Sequence, residues 1–408
     1  MEKVKVIEFI QTMGDGGAET LVKDYALLMD RERFDVTVVV QHAISDSANL
    51  QRLKEYDIPV HALSSEDDLL KQIWRKVFWK QNAQVVQSEN VQEKAVLPGE
   101  NYEQMGFLRS CRNFVRNLFF GLKFLKILRS TGATVVHAHL DMLGCLEAVS
   151  PFLKNVELFH TCHALPHLIY AGDEGRSARK LIRKNRLQLV ALHDDMAREM
   201  DEMFPEQKTV VIRNGVNMDK FRHPGVTREE KRRELQIPAD AFLVGHVGRF
   251  TPEKNHVFLV DVFAAIAARR PEAFLLMVGA GDTARTEEKL SKLGLDGRYR
   301  ILSRRTDIPQ LLTAMDVFVF PSIFEGFPVS VIEAQASGLR CIVSAQIPSA
   351  VMRLDTCVSL PLETPECWAE AALDPGLKRD SSQPLEDYDM NRVIRRLEEL
   401  YRGQTDKR

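Results

Sequence analysis

The residues best suited to chemistry lie in FPSIFEGFPVSVIEAQASG, residues 320–338. An apolar run reads as a strand ending at Phe320, and a tight loop then holds Glu325, Gly326 and Phe327. Pro328 suits the first position of a helix, where its missing N–H costs nothing. The free amides of Val329 and Ser330, with the positive end of the helix dipole, would face an anion such as phosphate. Glu325 in the loop and Glu333 inside the helix flank that point and can accept hydrogen bonds from hydroxyls. A diphosphate between two sets of sugar hydroxyls is a nucleotide-sugar. A plain strand–loop–helix with two surface glutamates would carry the same residues.

Three further groups stand where a ligand would be met. GRFTPEKN, residues 248–255, follows the strand-like FLVGHV and supplies Arg249 and Lys254. Two cations beside a helix start can neutralise a departing diphosphate, a task that metal ions perform elsewhere. Taken alone, the segment reads as a solvated loop. MGDGGAET, residues 13–20, brings Gly16 and Gly17, which let backbone approach a ligand. It departs from G-x-G-x-x-G at Glu19, and turn formation alone would account for it. His137 and His139 end one strand and His160 and His163 the next, with His167 beyond. No carboxylate or cysteine completes a recognisable zinc motif with them. Structural roles suit at least two of these histidines, and His163 is the candidate to face a reacting group.

These residues need a scaffold. Apolar strands are expected at 4–10, 34–40, 133–137, 156–159 and 188–192, and again at 242–247, 274–278, 317–320 and 341–344. Helical patterns separate them. Continuous apolar strands alternating with helices imply α/β layers around parallel sheets. The chain of 408 residues is long enough for two such domains. The expected division is a first domain at 1–205, a second at 206–385, and a closing helix at 386–408. Ligands of open α/β sheets bind beyond the carboxyl ends of the strands, so the candidates should meet in a cleft.

Composition narrows the partners. Lys plus Arg (55) nearly balance Asp plus Glu (57), so net charge gives no reason to expect nucleic acid. None of the six cysteines forms a C-x-x-C pair, which fits a reducing, cytoplasmic setting. The N-terminus has no signal-peptide pattern, and no stretch approaches the roughly 20 apolar residues of a membrane span. Residues 81–104 break the rhythm and read as a polar insertion. Basic segments flank it. Residues 71–80 combine four basic residues with Trp74 and Trp79. Residues 107–130 carry Arg109, Arg112, Arg116, Lys123, Lys126 and Arg129 without an acid. Their apolar stripe reads Leu108, Cys111, Val115, Leu118, Leu122 and Leu125. Such a helix suits an anionic membrane surface, and equally an ordinary solvated face.

In order along the chain, GGAETLV, VVHAHL, VIRNGVNMDKF, GHVGRFTPEKNHVFL, LLMVGAGD and AMDVFVFPSIFEGFPVSVIEAQASGL resemble the retaining glycosyltransferases of family 4, of the bacterial exopolysaccharide type. The resemblance implies the GT-B fold: two Rossmann-like domains across a cleft, with the last helix returning to the first. It implies Glu325 on the transferred sugar, Glu333 on the ribose, and Arg249 and Lys254 on the diphosphate. Gly326, Phe327 and Pro328 would line the sugar pocket, and Gly16 and Gly17 would lie opposite. Backbone near Ser303, Arg304 and Arg305 would meet the base. Acceptor-side candidates are His137, His139 and His160 beside His163. The donor would be a nucleotide-sugar, and the partner on the other side a glycan or lipid-linked glycan. No cofactor or metal is expected, because no Asp-x-Asp ends a strand in the second domain. A non-catalytic sugar-binding relative and a nucleotide-sugar epimerase are the competing readings.

Overall fold

The computed structural model describes residues 2–14, 16–44, 46–64, 100–376 and 385–403; the side chains of 100–112 lie outside the description. The first sheet holds β1 (Val4–Ile10), β2 (Phe34–His42), β3 (Val60–Ser64), β4 (Val135–His139), β5 (Glu157–Thr161), β6 (Gln188–Ala191) and β7 (Val210–Val211). Its order is β3-β2-β1-β4-β5-β6-β7. The second holds β8 (Phe242–Val247), β9 (Ala273–Val278), β10 (Tyr299–Leu302), β11 (Val317–Phe320), β12 (Arg340–Ser344) and β13 (Cys357–Leu360), ordered β10-β9-β8-β11-β12-β13. Every pairing is parallel. The central strands are buried on both faces, as β9 (AFLLMV) is throughout, which is why they read as unbroken apolar runs.

Each sheet reverses its strand order once, between β1 and β4 and between β8 and β11. Chain leaving these neighbours turns to opposite faces and opens a crevice. The loops after β8 and β11 are those of Lys254 and Glu325; Glu8 and His139 stand on β1 and β4.

The first sheet runs on to Val211, past the expected change at 205/206. The chain then crosses to the second lobe and returns before the helix Met390–Tyr401. The two crossings are tied: the Val216 amide donates to the Tyr388 carbonyl (2.7 Å) and the Met390 amide to the Val216 carbonyl (3.0 Å). A Cβ on Gly215 would lie 2.8 Å from Met390 Cα, so the crossings touch backbone to backbone. The last helix buries Val393, Ile394, Leu397, Leu400 and Tyr401 with Leu21, Val22 and Tyr25 of the first helix, Gly17–Leu28. At about 1.5–3 kcal/mol per fully buried large apolar chain, packing holds it on the first lobe. Glu398 adds a bond from the Asp30 amide (2.8 Å).

The long helix Glu100–Thr131 begins inside the stretch expected to be an irregular insertion. Its inward face is Phe120, Phe124, Leu125 and Leu128, with Phe124 stacked on Phe9 at 4.7 Å. Gly121 allows close approach to the neighbouring helix Leu143–Ala148, since a Cβ there would meet the Cys145 carbonyl at 2.7 Å. The expected stripe is therefore split: Leu125 lies in the core, whereas Val115 and Leu122 face solvent (58% and 54% exposed) beside Phe114 (63%). Leu108, Cys111, Arg109 and Arg112 lie outside the described side chains, and 71–80 and 81–99 outside the described residues.

Candidate functional site

The second lobe builds its part from two adjacent loops. After β8, Gly248 passes so close to Gly279 that a Cβ on Gly279 would lie 1.9 Å from the Gly248 carbonyl. The Phe250 amide donates to Ala280 (2.8 Å), which fixes the loop carrying Arg249 and Lys254. The loop after β11 is tied to it by the Ile323 amide, which donates to the Glu253 carbonyl (2.8 Å). Across this junction Lys254 Nζ donates to Glu325 Oε1 at 2.5 Å, with both side chains mostly buried. Lys254 also lies 4.9 Å from the Phe320 ring centre. An ammonium has three N–H donors, so this pair leaves Lys254 capacity for a second anion. Arg249 is exposed at the same mouth.

Pro328 caps the helix Val329–Ala336 and stands one position before its expected place. Its carbonyl accepts from the Val331 amide (3.1 Å). The amides of Val329 and Ser330 make no hydrogen bond among the described residues, as the first amides of a helix do. One turn on, burial and the charge of Asp24 push the Glu333 carboxyl up to about 7. Asp24 belongs to the first helix, so Glu333 feels a charge of the opposite lobe. Phe327 stacks on Tyr388 of the returning crossing (5.6 Å), linking pocket loop and hinge.

Gly326 is where the lobes meet. A Cβ there would lie 2.5 Å from the His163 carbonyl and 2.7 Å from Ala164 Cα, so only glycine allows this approach. His193, at the start of the helix Asp194–Met203, adds a hydrogen bond to the Gly326 backbone. Its Nδ1 accepts from the Met196 amide (3.2 Å). Sequence reasoning missed His193; histidine is not a usual helix cap, and only the position after QLVAL hints at it.

The first-lobe histidines form a buried chain. Thr161 Oγ1 meets His137 Nε2 (2.7 Å), and His137 Nδ1 meets Tyr401 Oη (2.6 Å). Tyr401 donates to Glu8 Oε1 (2.7 Å), Glu8 Oε2 meets His139 Nε2 (2.8 Å), and His139 Nδ1 meets His163 Nε2 (2.9 Å). His160 bonds Tyr170 Oη and the Leu140 carbonyl, both at 2.8 Å. Leu140 takes φ 60°, rare for a leucine, at the end of β4. Three expected acceptor candidates are thereby corrected. His137, His139 and His160 use both ring nitrogens inside the protein, because buried polar groups must be satisfied there. His163 alone of the four keeps a nitrogen, Nδ1, without a protein partner among the described residues. Burial pulls the His139 imidazole down to about 3 and His160 to about 4, and pushes the Glu8 carboxyl up to about 8. Glu8, Tyr401 and Tyr170 escaped the sequence reading, since single polar residues in apolar stretches carry no motif.

Donor atoms of Glu8, His137 and His139 lie within 4.8 Å of one another, the only such group among the described residues. Each is already engaged in the chain of hydrogen bonds, so the three act as partners of one another. The Arg305 guanidinium pairs with Asp307 (2.6 Å) and Glu234 (3.3 Å), which leaves the expected contact of this segment to its backbone. Ser303 and Arg304 are exposed beyond β10. Gly16 caps the first helix and leaves room for Glu19, whose carboxylate would lie 2.3 Å from a Cβ there; Gly17 faces open space.

Residues 15–220 match the model described as Glycosyltransferase Family 4, and 227–352 match Glycosyl transferases group 1. EpsF of Bacillus subtilis, whose name gives it provisionally as a glycosyltransferase, is 31% identical over 63% of this chain and 68% of that protein. The chain belongs to glycosyltransferase family 4. Another family relative, the UDP-Gal:α-D-GlcNAc-diphosphoundecaprenol α-1,3-galactosyltransferase of Escherichia coli, is 29% identical over 57% of this chain and 64% of its own length. Among solved structures, Anabaena Alr3699/HepE in complex with UDP aligns with TM-score 0.72 and 17% identity, over 98% of this chain and 100% of that one. At that identity the likeness shows the fold, two Rossmann-like domains of the GT-B kind. The glycosyltransferase match places Lys254, Glu325 and Glu333 in the group 1 segment, and the histidines in the family 4 segment.

Proposed function

We propose that this glycosyltransferase moves a hexose-type sugar from a nucleoside-diphosphate donor, UDP-linked, to a glycan or lipid-linked glycan, with retention and without a metal. The observation that carries the reading is the Lys254–Glu325 pair beside the open helix start at Val329, in the loop whose Gly326 packs against the His163 backbone. Lys254, Arg249 and the amides of Val329 and Ser330 take the diphosphate. Glu325 accepts from sugar hydroxyls, Gly326, Phe327 and Pro328 shape the pocket, and Glu333 accepts from the ribose. Gly16 and Gly17 close the opposite wall, and His163 faces the sugar.

Departure of the diphosphate leaves an oxocarbenium-like sugar. Lys254 and the helix start stabilise the growing phosphate charge, the largest contribution expected in such a site. The departing phosphate then takes the acceptor proton on the same face. The tight contact at Gly326 excludes water from the reacting atoms, which limits donor hydrolysis.

The E. coli relative's lipid-linked substrate favours an acceptor at the inner face of the cytoplasmic membrane. The outward face of the long helix supports such docking. Phe114, Val115 and Leu122 are exposed there among Arg116, Lys126 and Arg129. An apolar strip rimmed by cations suits anionic lipid. No described helix is long and apolar enough to cross a membrane.

The test is a thermal-shift screen of nucleotide-sugars, then transfer with the best donor in excess chelator, the product anomer read by NMR. Retention with activity undiminished by chelator is expected. Inversion, or loss of activity that a divalent ion restores, contradicts the reading. An epimerase would isomerise the donor without acceptor. Co-sedimentation with phosphatidylglycerol vesicles should fall severalfold on Val115→Asp/Leu122→Asp; unchanged binding removes the docking face.

A further inference from the structure

The polar chain beneath the first lobe joins parts of the sequence far apart. Glu8 is fully buried on β1, opposite His137 in the register of β1 with β4. Groups facing it come from every packed element: His137 and His139 from β4, Tyr25 from the first helix, and Tyr401 from the last. On β2 its neighbour is Val38, which carries no charge. No lysine or arginine bonds the Glu8 carboxyl, and one end of its chain is His163 Nδ1 at the contact between lobes.

With Tyr401 donating to Glu8 Oε1, the remaining bonds have two self-consistent proton arrangements in which the imidazoles of His139 and His163 stay neutral. With Glu8 ionised, Oε1 accepts from Tyr401 and Oε2 accepts from His139 Nε2–H. His139 Nδ1 is then bare and accepts from His163 Nε2–H, so His163 Nδ1 is a bare acceptor. With Glu8 protonated, its Oε2–H donates to His139 Nε2. His139 Nδ1–H donates to His163 Nε2, and His163 Nδ1 carries a hydrogen. A proton arriving at His163 Nδ1 thus converts the first arrangement into the second. His163 Nε2–H passes its proton to His139 Nδ1, and His139 Nε2–H passes its own to Glu8. One proton enters and one rests on Glu8, with no charged imidazole left behind. Neutral imidazoles are what burial demands here, since charging them without counter-ions is costly.

We propose that Glu8 is a positioning residue acting through His139, and that its proton decides whether His163 accepts or donates a hydrogen bond in the cleft. The inference deepens the reading of His163 as the group facing the sugar and rests on it for its functional meaning. Burial pushes the Glu8 carboxyl up to about 8, so the two arrangements exchange near that pH. The Tyr401 hydrogen bond opposes that shift by stabilising the carboxylate. Through it the last helix, which also carries the crossing between lobes, bears on the cleft histidine.

The test is ¹⁵N NMR of the full chain labelled at histidine, without donor or acceptor, from pH 6 to 9.5, with His163 assigned by His163→Asn. In the native chain, His163 Nδ1 should change from hydrogen-bearing to bare with a midpoint near 8. Glu8→Gln keeps an acceptor for Tyr401 and supplies a fixed N–H to His139. It should hold His163 in the hydrogen-bearing form throughout, with no midpoint. Tyr401→Phe should move the midpoint upward. A single His163 tautomer across the range in the native chain, or a Glu8→Gln chain that titrates as the native one does, overturns the proposal. Because nothing is transferred in this experiment, its outcome is separate from that of the activity assay. If the relay holds and no sugar is transferred, only the functional reading fails.

Discussion

The two lobes share a topology yet place their polar groups differently. In the first, Glu8, His137, His139 and His160 stand on central strands, fully buried; Glu8 bonds His139 and, through Tyr401, His137, while His160 bonds Tyr170 and the Leu140 carbonyl. In the second, the central strands are almost wholly apolar, and the charges stand in the loops beyond them. A strand cannot easily move, so the first lobe holds its histidines rigidly and leaves protons as the variable. A loop pair can exchange partners, so Lys254 can share itself between Glu325 and an incoming anion. The first arrangement suits orientation and the second suits capture of charge.

The comparison breaks first at Lys254. Lys254→Ala should lower kcat by about 10²–10³-fold, the usual effect of deleting one preorganised charge donor. Initial rates at saturating donor would show it, and a change below threefold would remove Lys254 from the leaving-group site. Next is the contact between lobes. Gly326→Ala forces its methyl into the His163 carbonyl. Transfer should fall about 10–100-fold, since misplacement by an ångström costs that much, while donor affinity changes little. Equal loss of both would place the glycine in donor binding alone.

The smallest effect is on stability against pH. Burial lowers His137, His139, His160, His163, His193, His246 and His256, so the unfolded chain binds more protons below about 6.5 and stability rises with pH up to there. Glu8, Glu174 and Glu333 are raised to about 8, 8 and 7, so the folded chain holds protons that the unfolded one has lost. Their contribution is full below about 4.5 and is lost as pH rises through 7–8. Seven histidines outweigh three carboxyls on the acid side, which puts the maximum near pH 6.5. Urea unfolding from pH 5 to 9 measures it; a steady rise to pH 9 would contradict the buried carboxyls.

Legibility in the sequence followed burial. Nine strands were evident as apolar runs. The four that were not, β3, β7, β10 and β13, are the edges of the two sheets. Edge strands are short and half-covered, as YRIL of β10 and CVSL of β13 are, so their apolar pattern is weak. The loop site was legible because a helix start, a proline and spaced charges form a local pattern. The polar chain was not, because Glu8 and Tyr401 are 393 positions apart and meet only through folding. The long helix misled for a different reason: it has apolar residues on two faces, and periodicity cannot say which one the core takes.

The central claim is that the second lobe alone grips the diphosphate. Isothermal titration of UDP into the native chain, Lys254→Ala and His163→Ala tests it most directly. The account predicts affinity at least tenfold weaker for Lys254→Ala and unchanged for His163→Ala. Equal UDP affinity in the native and Lys254→Ala chains, or loss only in His163→Ala, would contradict it.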